Sequence, residues 1–469
     1  MSRISTAGLV VGSLVAACAT YQAAPLDPAA RPRVYNARST TDSGLLAFRA
    51  ATGESPVSSV WSPSDVALAA LYFQPSLDEA RARLKSAEAA EVTAGARPRP
   101  GLGGSLERNL ESSAEDSPWG AQLTGTFTIE LGGKRGARQA IARAGTVAAE
   151  ASLKGAAWDL AMTARQSALE SAAARGRYDD AGRELGTGDS LLPLLEARYR
   201  EGAASQADVA QFRTDVQSAR LERQQFEIRW RQSEAEVAGQ AGMPPERLRA
   251  VSLSGESVAG CGPMVDLSRD SLQYLVLGSR WPVAQALAEY QVAEGRLRLE
   301  IARQRPDLEL GPGLFFDHGI TRFLINFALP ALPGGNTGPI GEAEAARRTA
   351  AAHVAVVQEA VLIEADAALD QCEGLSRELA AADSVEAAAR AREQLTRAAY
   401  QRGEVTRLEV GFASLAAVRA AVAHNESIRR GRLARARLEA AIGVWPVDGP
   451  VRWPDVTLQP VRQEPKEAP

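Results

Sequence analysis

The chain has 469 residues, of which 45% are apolar but only 5% are aromatic. Few aromatic residues leave little material for a thick globular core, so this composition favours long helices packed closely in pairs. Basic and acidic residues number 53 and 57 and are interspersed along the chain. This balance excludes the basic surface that nucleic-acid binding requires.

The N-terminus carries an export signal. One arginine precedes an apolar run from Ala7 to Ala17, too short to cross a bilayer as a helix of about 20 residues, so residues 1–17 are predicted to be a signal peptide. Its end, "LVAAC", resembles the bacterial lipobox, which predicts a lipidated Cys18. Because Ala19 is not acidic, the same resemblance implies an outer membrane address. The alternative is an ordinary signal peptide with a chance cysteine.

One motif occurs twice in the chain. "YREGAASQAD", from Tyr199, and "YQRGEVTRLE", from Tyr400, share an aromatic residue, a glycine, a hydroxyl residue and an acid at a shift of 201 residues. Gly242 and Gly443 each follow their motif's tyrosine by 43 residues. Such spacing indicates a duplicated architectural unit. The predicted organisation is a signal peptide (1–17), an extended N-terminal segment (18–64), repeat 1 (65–260), repeat 2 (261–446) and an extended tail (447–469).

Each repeat opens with a helix of about 22 residues that has a proline, Pro75 or Pro282, in its first turn. Two strand-like segments follow, with apolar side chains alternating on one face. A turn at residues 317–319 joins the second pair, so β-hairpins are predicted. The strands span 100–109, 119–131, 306–316 and 321–329, and the apolar residues that mark membrane-facing strands are Phe127, Ile129, Leu131, Phe323, Ile325 and Phe327.

Very long helices are predicted next, over residues 134–198 and 336–399, each about 95 Å long at 1.5 Å per residue. The opening helix and the return helix together span about 90 Å. One long helix can therefore run antiparallel to two shorter ones laid end to end. Gly186, Gly188 and Pro193 predict a kink or a short break in the first long helix.

The four strands can lie either in water or in a membrane, and the two environments make different demands. Strands of about 10 residues, when tilted, can cross a bilayer, but the smallest membrane barrels have about eight strands. Four strands in lipid would leave open edges with unpaired backbone groups. Either they form a small sheet in water or several copies of the chain share one barrel, and the lipidation signal favours the second.

The duplicated order of short helix, hairpin, long helix, turn and return helix, on a signal-bearing lipoprotein, resembles the TolC-like outer membrane factor family over residues 65–446. The resemblance implies a mainly α protein with a small β part. Duplicated helical hairpins would form an α-helical barrel, and four antiparallel strands per chain would contribute to a trimeric membrane β-barrel. It further implies a homotrimer that works with a periplasmic adaptor and an inner membrane pump, without a cofactor.

The function implied is a passive outer membrane conduit of a tripartite efflux system that exports metal ions or drugs, and not an enzyme. The start of the second long helix, "LPALPGGNTGPIGEAEAARR", resembles the heavy-metal branch of the family. It departs from that branch by having glycines where an aromatic residue and an arginine are common.

In the family, the two hairpin turns meet the adaptor at the periplasmic end of the tunnel. Local chemistry explains part of each turn without a partner, because a glycine permits a tight reversal and a hydroxyl residue with an acid three positions later forms a capping box. The predicted adaptor-contact residues are Gly202, Ala203, Ala204, Ser205, Asp208, Gly403, Glu404, Val405, Thr406 and Glu409.

Other functions find less support. The three histidines, His318, His353 and His424, are scattered without metal-ligand spacing. Cys261 and Cys372 of an exported chain can pair, but two single cysteines do not predict a disulfide. No nucleophile, phosphate-loop or paired-carboxylate motif indicates an enzyme. Two alternatives stay open. One is a periplasmic coiled-coil structural or adaptor lipoprotein, although a plain coiled coil has no use for the β-hairpins. The other is a type I secretion conduit, which shares the fold.

Overall fold

The computed structural model describes residues 21–53, 59–108, 110, 117–255, 268–317, 320–329, 336–443, 445 and 453–457. Cys18, Cys261, His318 and Gly319 lie outside these residues. The chain divides into two units, the first comprising the two termini, Met1–Arg38 and Glu464–Pro469. In its described part, this unit contains one helix, α1 (Ala30–Ala37). All elements below belong to the second unit, Ser39–Gln463.

The second unit follows the duplicated order. Before and in repeat 1 the elements are α2 (Ser43–Ala51), β1 (Val60–Trp61), α3 (Pro63–Phe73), α4 (Pro75–Gly95), β2 (Gly101–Arg108), β3 (Trp119–Ile129), α5 (Lys134–Arg200), α6 (Gln206–Ala241), α7 (Pro245–Leu248) and β4 (Ser252–Leu253). Repeat 2 contains α8 (Arg269–Ser279), α9 (Trp281–Ala302), β5 (Leu308–Asp317), β6 (Ile320–Ala328), α10 (Thr337–Gln401) and α11 (Arg407–Ile442).

The long helices α5 and α10 have 67 and 65 residues, which corresponds to about 100 Å each. As predicted, α5 packs against both α4 and α6, and α10 packs against both α9 and α11. The return helices end at Gly242 and Gly443, both in the left-handed conformation. No helix within the described residues is long and apolar enough to cross a membrane.

Of the kink or short break predicted near Pro193, the break is absent, because α5 is helical throughout with this proline in its interior; the kink stays a prediction. Packing offsets the missing hydrogen bond there. Leu191, two residues earlier, is buried in an apolar cluster, and Gly188 lies close enough to Val216 that an added Cβ would be 3.4 Å from its Cγ2. Tertiary contacts therefore hold a helix that its local sequence would interrupt.

The four longer strands form one antiparallel sheet in the order β2-β3-β5-β6. The central ladder pairs β3 of repeat 1 with β5 of repeat 2, for example Phe127 opposite Leu310. Strand bounds agree with the predictions to within two residues. Leu131 is the exception among the predicted membrane residues, since β3 ends at Ile129. The edges of this sheet are β2 and β6, which have one neighbour each.

Two helices that the sequence reading missed form much of the core. In α3 ten of eleven positions are buried, and its apolar residues pack against α5 and the end of α6. In repeat 2, α8 takes the equivalent place before α9 and packs against α10 and α11. The repeat unit thus contains one more helix than predicted.

The prediction of wholly extended terminal segments is wrong in three places, the first being α1 (Ala30–Ala37). Residues Ser43–Ala51 are helical, and Arg49 is buried with its Nη2 2.6 Å from Asp65 Oδ1. In the tail, Val456 is buried and its carbonyl accepts a hydrogen bond from Arg81 Nε at 3.0 Å. Trp453 packs against Trp158, with ring centroids 5.3 Å apart. Apolar burial outweighs the polar composition that suggested tethers.

Cys372 is fully buried among α8, α10 and α11 and is disulfide-bonded. Its partner lies outside the described residues. The sequence alone did not predict this disulfide, because a pair of single cysteines carries no spacing signature.

Candidate functional site: the paired turns and the apolar sheet face

The two predicted turns have the same backbone geometry. Gly202 and Gly403 both have φ of 77°. In the first turn the N–H of Gly202 donates to Tyr199 O at 3.0 Å and the N–H of Ala203 donates to Arg198 O at 2.8 Å. The second turn repeats both bonds one repeat later. This pattern is the Schellman motif, in which a glycine in the left-handed region ends a helix and reverses the chain.

A capping box begins each return helix, as the sequence predicted. Ser205 Oγ accepts from the N–H of Asp208 at 3.1 Å, and Thr406 Oγ1 accepts from the N–H of Glu409 at 3.4 Å. The acids bond back to the backbone N–H groups of Ser205 and Thr406 at 3.0 and 2.6 Å. Each turn is therefore complete without a partner.

These hydrogen bonds favour the ionised acids. The Ser205 hydroxyl and then its N–H lower the pKa of Asp208. The Thr406 N–H and then its hydroxyl lower the pKa of Glu409. Both carboxylates are fully exposed, so the turns present negative charge to solvent at neutral pH.

The surfaces of the two turns differ. The first shows Gly202, Ala203 and Ala204, which carry no charge. In the second, Glu404 forms an exposed ion pair with Arg402, with Oε1 2.6 Å from Nε, and Val405 is half-buried. A partner that contacts both turns would meet small uncharged residues before the capping acid at the first turn and an ion pair at the same place in the second.

An apolar cluster, here called the tip cluster, joins the two hairpins just behind the turns. Phe212 and Phe412 meet edge to face with centroids 5.7 Å apart, and Arg198 Nη1 donates to Thr406 Oγ1 at 3.3 Å. Sequence reasoning did not find this contact between repeats. The tip cluster consists of Leu185, Leu191, Leu195, Val209, Phe212, Val216 and Leu415.

A groove of about 460 Å³ opens beside the first turn, against the start of α11. Its floor includes Phe212, Phe412 and Leu408, and its rim includes Arg198 and two carboxylates of α6. Three of the predicted contact residues line it, namely Ala203, Ala204 and Asp208. The first turn therefore flanks a concave, partly apolar surface rather than a flat end.

The sheet has one apolar and one polar face. Because directly opposed residues of antiparallel strands share a face, the register puts Leu310 with Phe127 and Phe327, and Leu314 with Leu123 and Phe323. Thr124, Thr128, Gln122, Glu309 and Asn326 fall on the other face. Among the predicted residues, Phe323, Ile325 and Phe327 are 66, 62 and 77% exposed.

Such exposure of large apolar side chains over a whole sheet face marks an interaction with lipid or another apolar surface. Phe127, Ile129 and Leu131 are also exposed, at 47, 44 and 39%. The alternation of apolar and polar faces in strands of 8 to 11 residues has the length and pattern of tilted membrane strands.

Ion pairs fix the junction between the sheet and the long helix α5. Lys134 Nζ lies 2.8 Å from Asp307 Oδ1, and Arg138 forms a hydrogen-bonded pair with Glu130. The hydrogen bond from Arg138 lowers the pKa of Glu130. For Asp307, burial raises the pKa, but the hydrogen bonds from Lys134 and the Leu131 N–H outweigh it and the net shift is downward.

Metal binding has no support in the described part of the chain, where no group of three or more His, Cys, Asp or Glu residues could hold an ion. His424 instead lies between two carboxylates, with Nε2 2.6 Å from Asp383 Oδ1 and Nδ1 2.9 Å from Glu386 Oε2. His353 is exposed on α10.

Long helical hairpins with an exposed apolar sheet are the fold of solved outer membrane channels. VceC of Vibrio cholerae superposes with a TM-score of 0.66 at 22% identity, covering 81% of this chain and 96% of that chain. The outer-membrane channel OprN superposes with a TM-score of 0.67 at 17% identity, covering 90% of this chain and 96% of that chain. CusC gives 0.62 at 18% identity, covering 91% and 95%.

Sequence comparison points to the same class. The family model for outer membrane efflux proteins matches residues 68–242. The pyoverdine export outer membrane protein OpmQ of Pseudomonas putida is 25% identical over 416 residues, covering 80% of this chain and 84% of that protein. Residues 68–242 are thus similar to the outer membrane efflux protein family, in agreement with the resemblance found in the sequence. The proteins that the chain resembles are outer membrane efflux, export and channel proteins.

Proposed function

We propose that three copies of the chain close one membrane barrel of twelve strands through their β2 and β6 edges. The support is the open four-stranded sheet, whose two edge strands have one neighbour each. An unpaired edge in lipid costs several kcal/mol for each unsatisfied backbone group. Four strands are too few to close, since the smallest membrane barrels have about eight. The exposed apolar face would then contact lipid and the polar face would line the pore.

The helical hairpins would continue the pore as a tunnel into the periplasm. The turns end helices about 100 Å long, so they would lie at the far end of the tunnel. There they would contact a periplasmic adaptor that links the conduit to an inner membrane pump. The contact residues are those predicted from the sequence, and the groove beside the first turn supports three of them, Ala203, Ala204 and Asp208. Six turns per trimer would present two alternating kinds of surface.

The cargo we propose is a small solute, either a metal ion or a drug-like molecule. The similarity to OpmQ, a pyoverdine export outer membrane protein, supports a small solute over a protein substrate. The conduit would lower the barrier to crossing the membrane by offering water, while the pump supplies energy. Membership of the heavy-metal branch stays a prediction. So does lipidation of Cys18, which would be tested by palmitate labelling of a Cys18→Ser variant.

Cross-linking of the purified full-length protein tests the assembly. A cysteine on the β2 edge at Ser105 and one on the β6 edge at Leu324 can meet only between copies. The matched control places cysteines at Thr124 and Gly313, which are opposed within one chain. We expect the edge pair to give dimers and trimers and nothing larger, and the control to give monomers. Monomers or dimers as the only species from the edge pair, at every register tried, would rule out the shared barrel.

The tip assignment is tested separately. Valine at Gly202 or Gly403 would be strained, because φ of 77° is costly for a β-branched residue. We expect Gly202→Val and Gly403→Val to weaken binding of the cognate adaptor while trimers still form. Gly374→Val, in a helical position with open space around it, is the control. Equal loss of adaptor binding and of trimers would contradict the assignment.

A further inference from the structure

The same basic motif precedes the first strand of both hairpins. Arg97-Pro98-Arg99-Pro100 leads into β2, and Arg303-Gln304-Arg305-Pro306 leads into β5. These strands begin at the same end of the sheet, because Gly101 pairs with Thr126 and Leu308 pairs with Ile129. The duplication has therefore kept two arginine pairs at equivalent points, where the strands meet the helices.

Helix α5 begins at the same level and adds Lys134, Arg135 and Arg138. We call the seven basic residues the basic collar. Three of them have acidic partners: Lys134 pairs with Asp307, Arg138 with Glu130 and Arg303 with Glu300. Arg97, Arg99 and Arg305 are exposed, and no acidic side chain in the described part of the chain pairs with them. The collar thus carries excess positive charge on a chain whose formal net charge is -4.

The collar directly borders the apolar face of the sheet. Leu102 is 79% exposed one residue into β2, and Ile129 and Leu131 are also exposed at the same end. Arg305 packs over Gly132, where an added Cβ would lie 3.2 Å from Arg305 Cβ. Proline after Arg97, Arg99 and Arg305 keeps the backbone of each arginine extended, and arginine stems can lie on apolar surface while the guanidinium reaches polar groups.

This juxtaposition matches the chemistry of a phospholipid, with a phosphate above acyl chains. Guanidinium groups bind phosphate oxygens in a planar, bidentate manner. We propose that the basic collar binds the phosphate groups of anionic phospholipids in the leaflet that faces the helices. The inference rests on the proposed function, since it requires the strands to lie in a membrane. A trimer would offer six Arg-X-Arg-Pro motifs around its circumference.

The test is lipid retention by the full-length protein, measured by native mass spectrometry after reconstitution into vesicles of equal phosphatidylglycerol and phosphatidylcholine. The collar variant is Arg97→Gln, Arg99→Gln and Arg305→Gln. The control variant removes the same charge from exposed helical positions, Arg229→Gln, Arg392→Gln and Arg407→Gln. We expect the wild type and the control to prefer phosphatidylglycerol, and the collar variant to lose at least about tenfold of that preference, because basic residues near the membrane surface attract anionic lipid.

Three results would overturn the proposal. Equal lipid preference in collar and control variants would remove the role of the arginines. Displacement of bound phosphatidylglycerol by millimolar inorganic phosphate would assign the collar to free anions. An unchanged lipid preference with a shift of pore selectivity toward cations would place the arginines in the pore. Failure of the wild type to insert into these vesicles would instead refute the proposed function. A failure of the lipid-binding proposal and a failure of the proposed function are therefore distinguishable.

Discussion

A buried charge triad links the two repeats, and its removal is the sharpest stability test. Glu439 on α11 accepts a hydrogen bond from Arg165 Nη1 on α5, and its Oε1 lies 2.9 Å from Arg435 Nε. The side chain of Glu439 is 4% exposed, that of Arg165 is 1% exposed and that of Arg435 is 7% exposed. One negative charge thus sits between two positive charges with almost no access to water.

Replacing Glu439 by alanine would leave two buried guanidinium groups without this carboxylate. Removal of one partner of a buried pair costs about 3–5 kcal/mol, because the remaining charge stays desolvated. The control is Glu79→Ala on α4. The side chain of Glu79 is 66% exposed and that of its partner Arg83 is 73% exposed. An exposed pair of this kind contributes about 0–1 kcal/mol. The two variants should therefore differ by at least about 2 kcal/mol.

Urea unfolding followed by circular dichroism at 222 nm, in detergent at pH 7, measures this difference as a shift in midpoint at constant slope. A triple variant, Arg165→Met, Arg435→Leu and Glu439→Leu, removes all three charges at similar volume and should unfold close to the wild type. The reasoning is refuted if Glu439→Ala unfolds at the same urea midpoint as Glu79→Ala. A triple variant as unstable as Glu439→Ala would show that packing, not charge, decides the cost.

Three more predictions concern the tip and the disulfide. Gly411→Ala should lower the urea midpoint, because the new Cβ would lie 2.0 Å from Cδ2 of buried Leu191. Overpacking costs about 1–3 kcal/mol, whereas the gain in helix propensity is about 1 kcal/mol. A raised midpoint would contradict this prediction. The pKa values of Asp208 and Glu409 are lowered in the folded state, so their stabilisation is complete above the ordinary values of about 3.9 and 4.3 and is lost as pH falls through the lower folded values. Hydrogen-exchange protection of the turn amides, corrected for the intrinsic rate at each pH, should therefore fall below about pH 4, and should not change with pH in Asp208→Asn with Glu409→Gln. Cys372→Ser should cost about 2–4 kcal/mol, and reductant should bring the wild type to the same midpoint; a wild type insensitive to reductant would show that the bond contributes nothing.

Features set by local chemistry could be predicted from the sequence. The turns follow from a glycine in the left-handed region and a hydroxyl residue three positions before an acid, which act within a few residues of each other. The strands follow from alternation over about ten residues. For the same reason the exposed apolar residues of β6 were identified individually, and the ends of α5 and α10 were placed within about two residues.

Features set by distant contacts could not be predicted. Helix α3 is buried all round, so it has no polar stripe and no helical periodicity to detect. Its capping box, in which Ser62 and Asp65 bond reciprocally, was the available signal. Pro193 appeared to break α5 because the burial of Leu191 in the tip cluster is visible only in three dimensions. The meeting of Phe212 with Phe412 depends likewise on how the two hairpins pack.

The central ladder of the sheet constrains when the chain can enter a membrane. Strand β3 finds its partner β5 only after α5 and α6 have been made, and 176 residues separate Leu131 from Asp307, which share a hydrogen bond at the end of this ladder. Contacts so distant in sequence form late and slowly. A chain cut after the first repeat would present a lone hairpin, which is marginally stable at best. Biogenesis must therefore keep the apolar strands protected until synthesis of both repeats is complete.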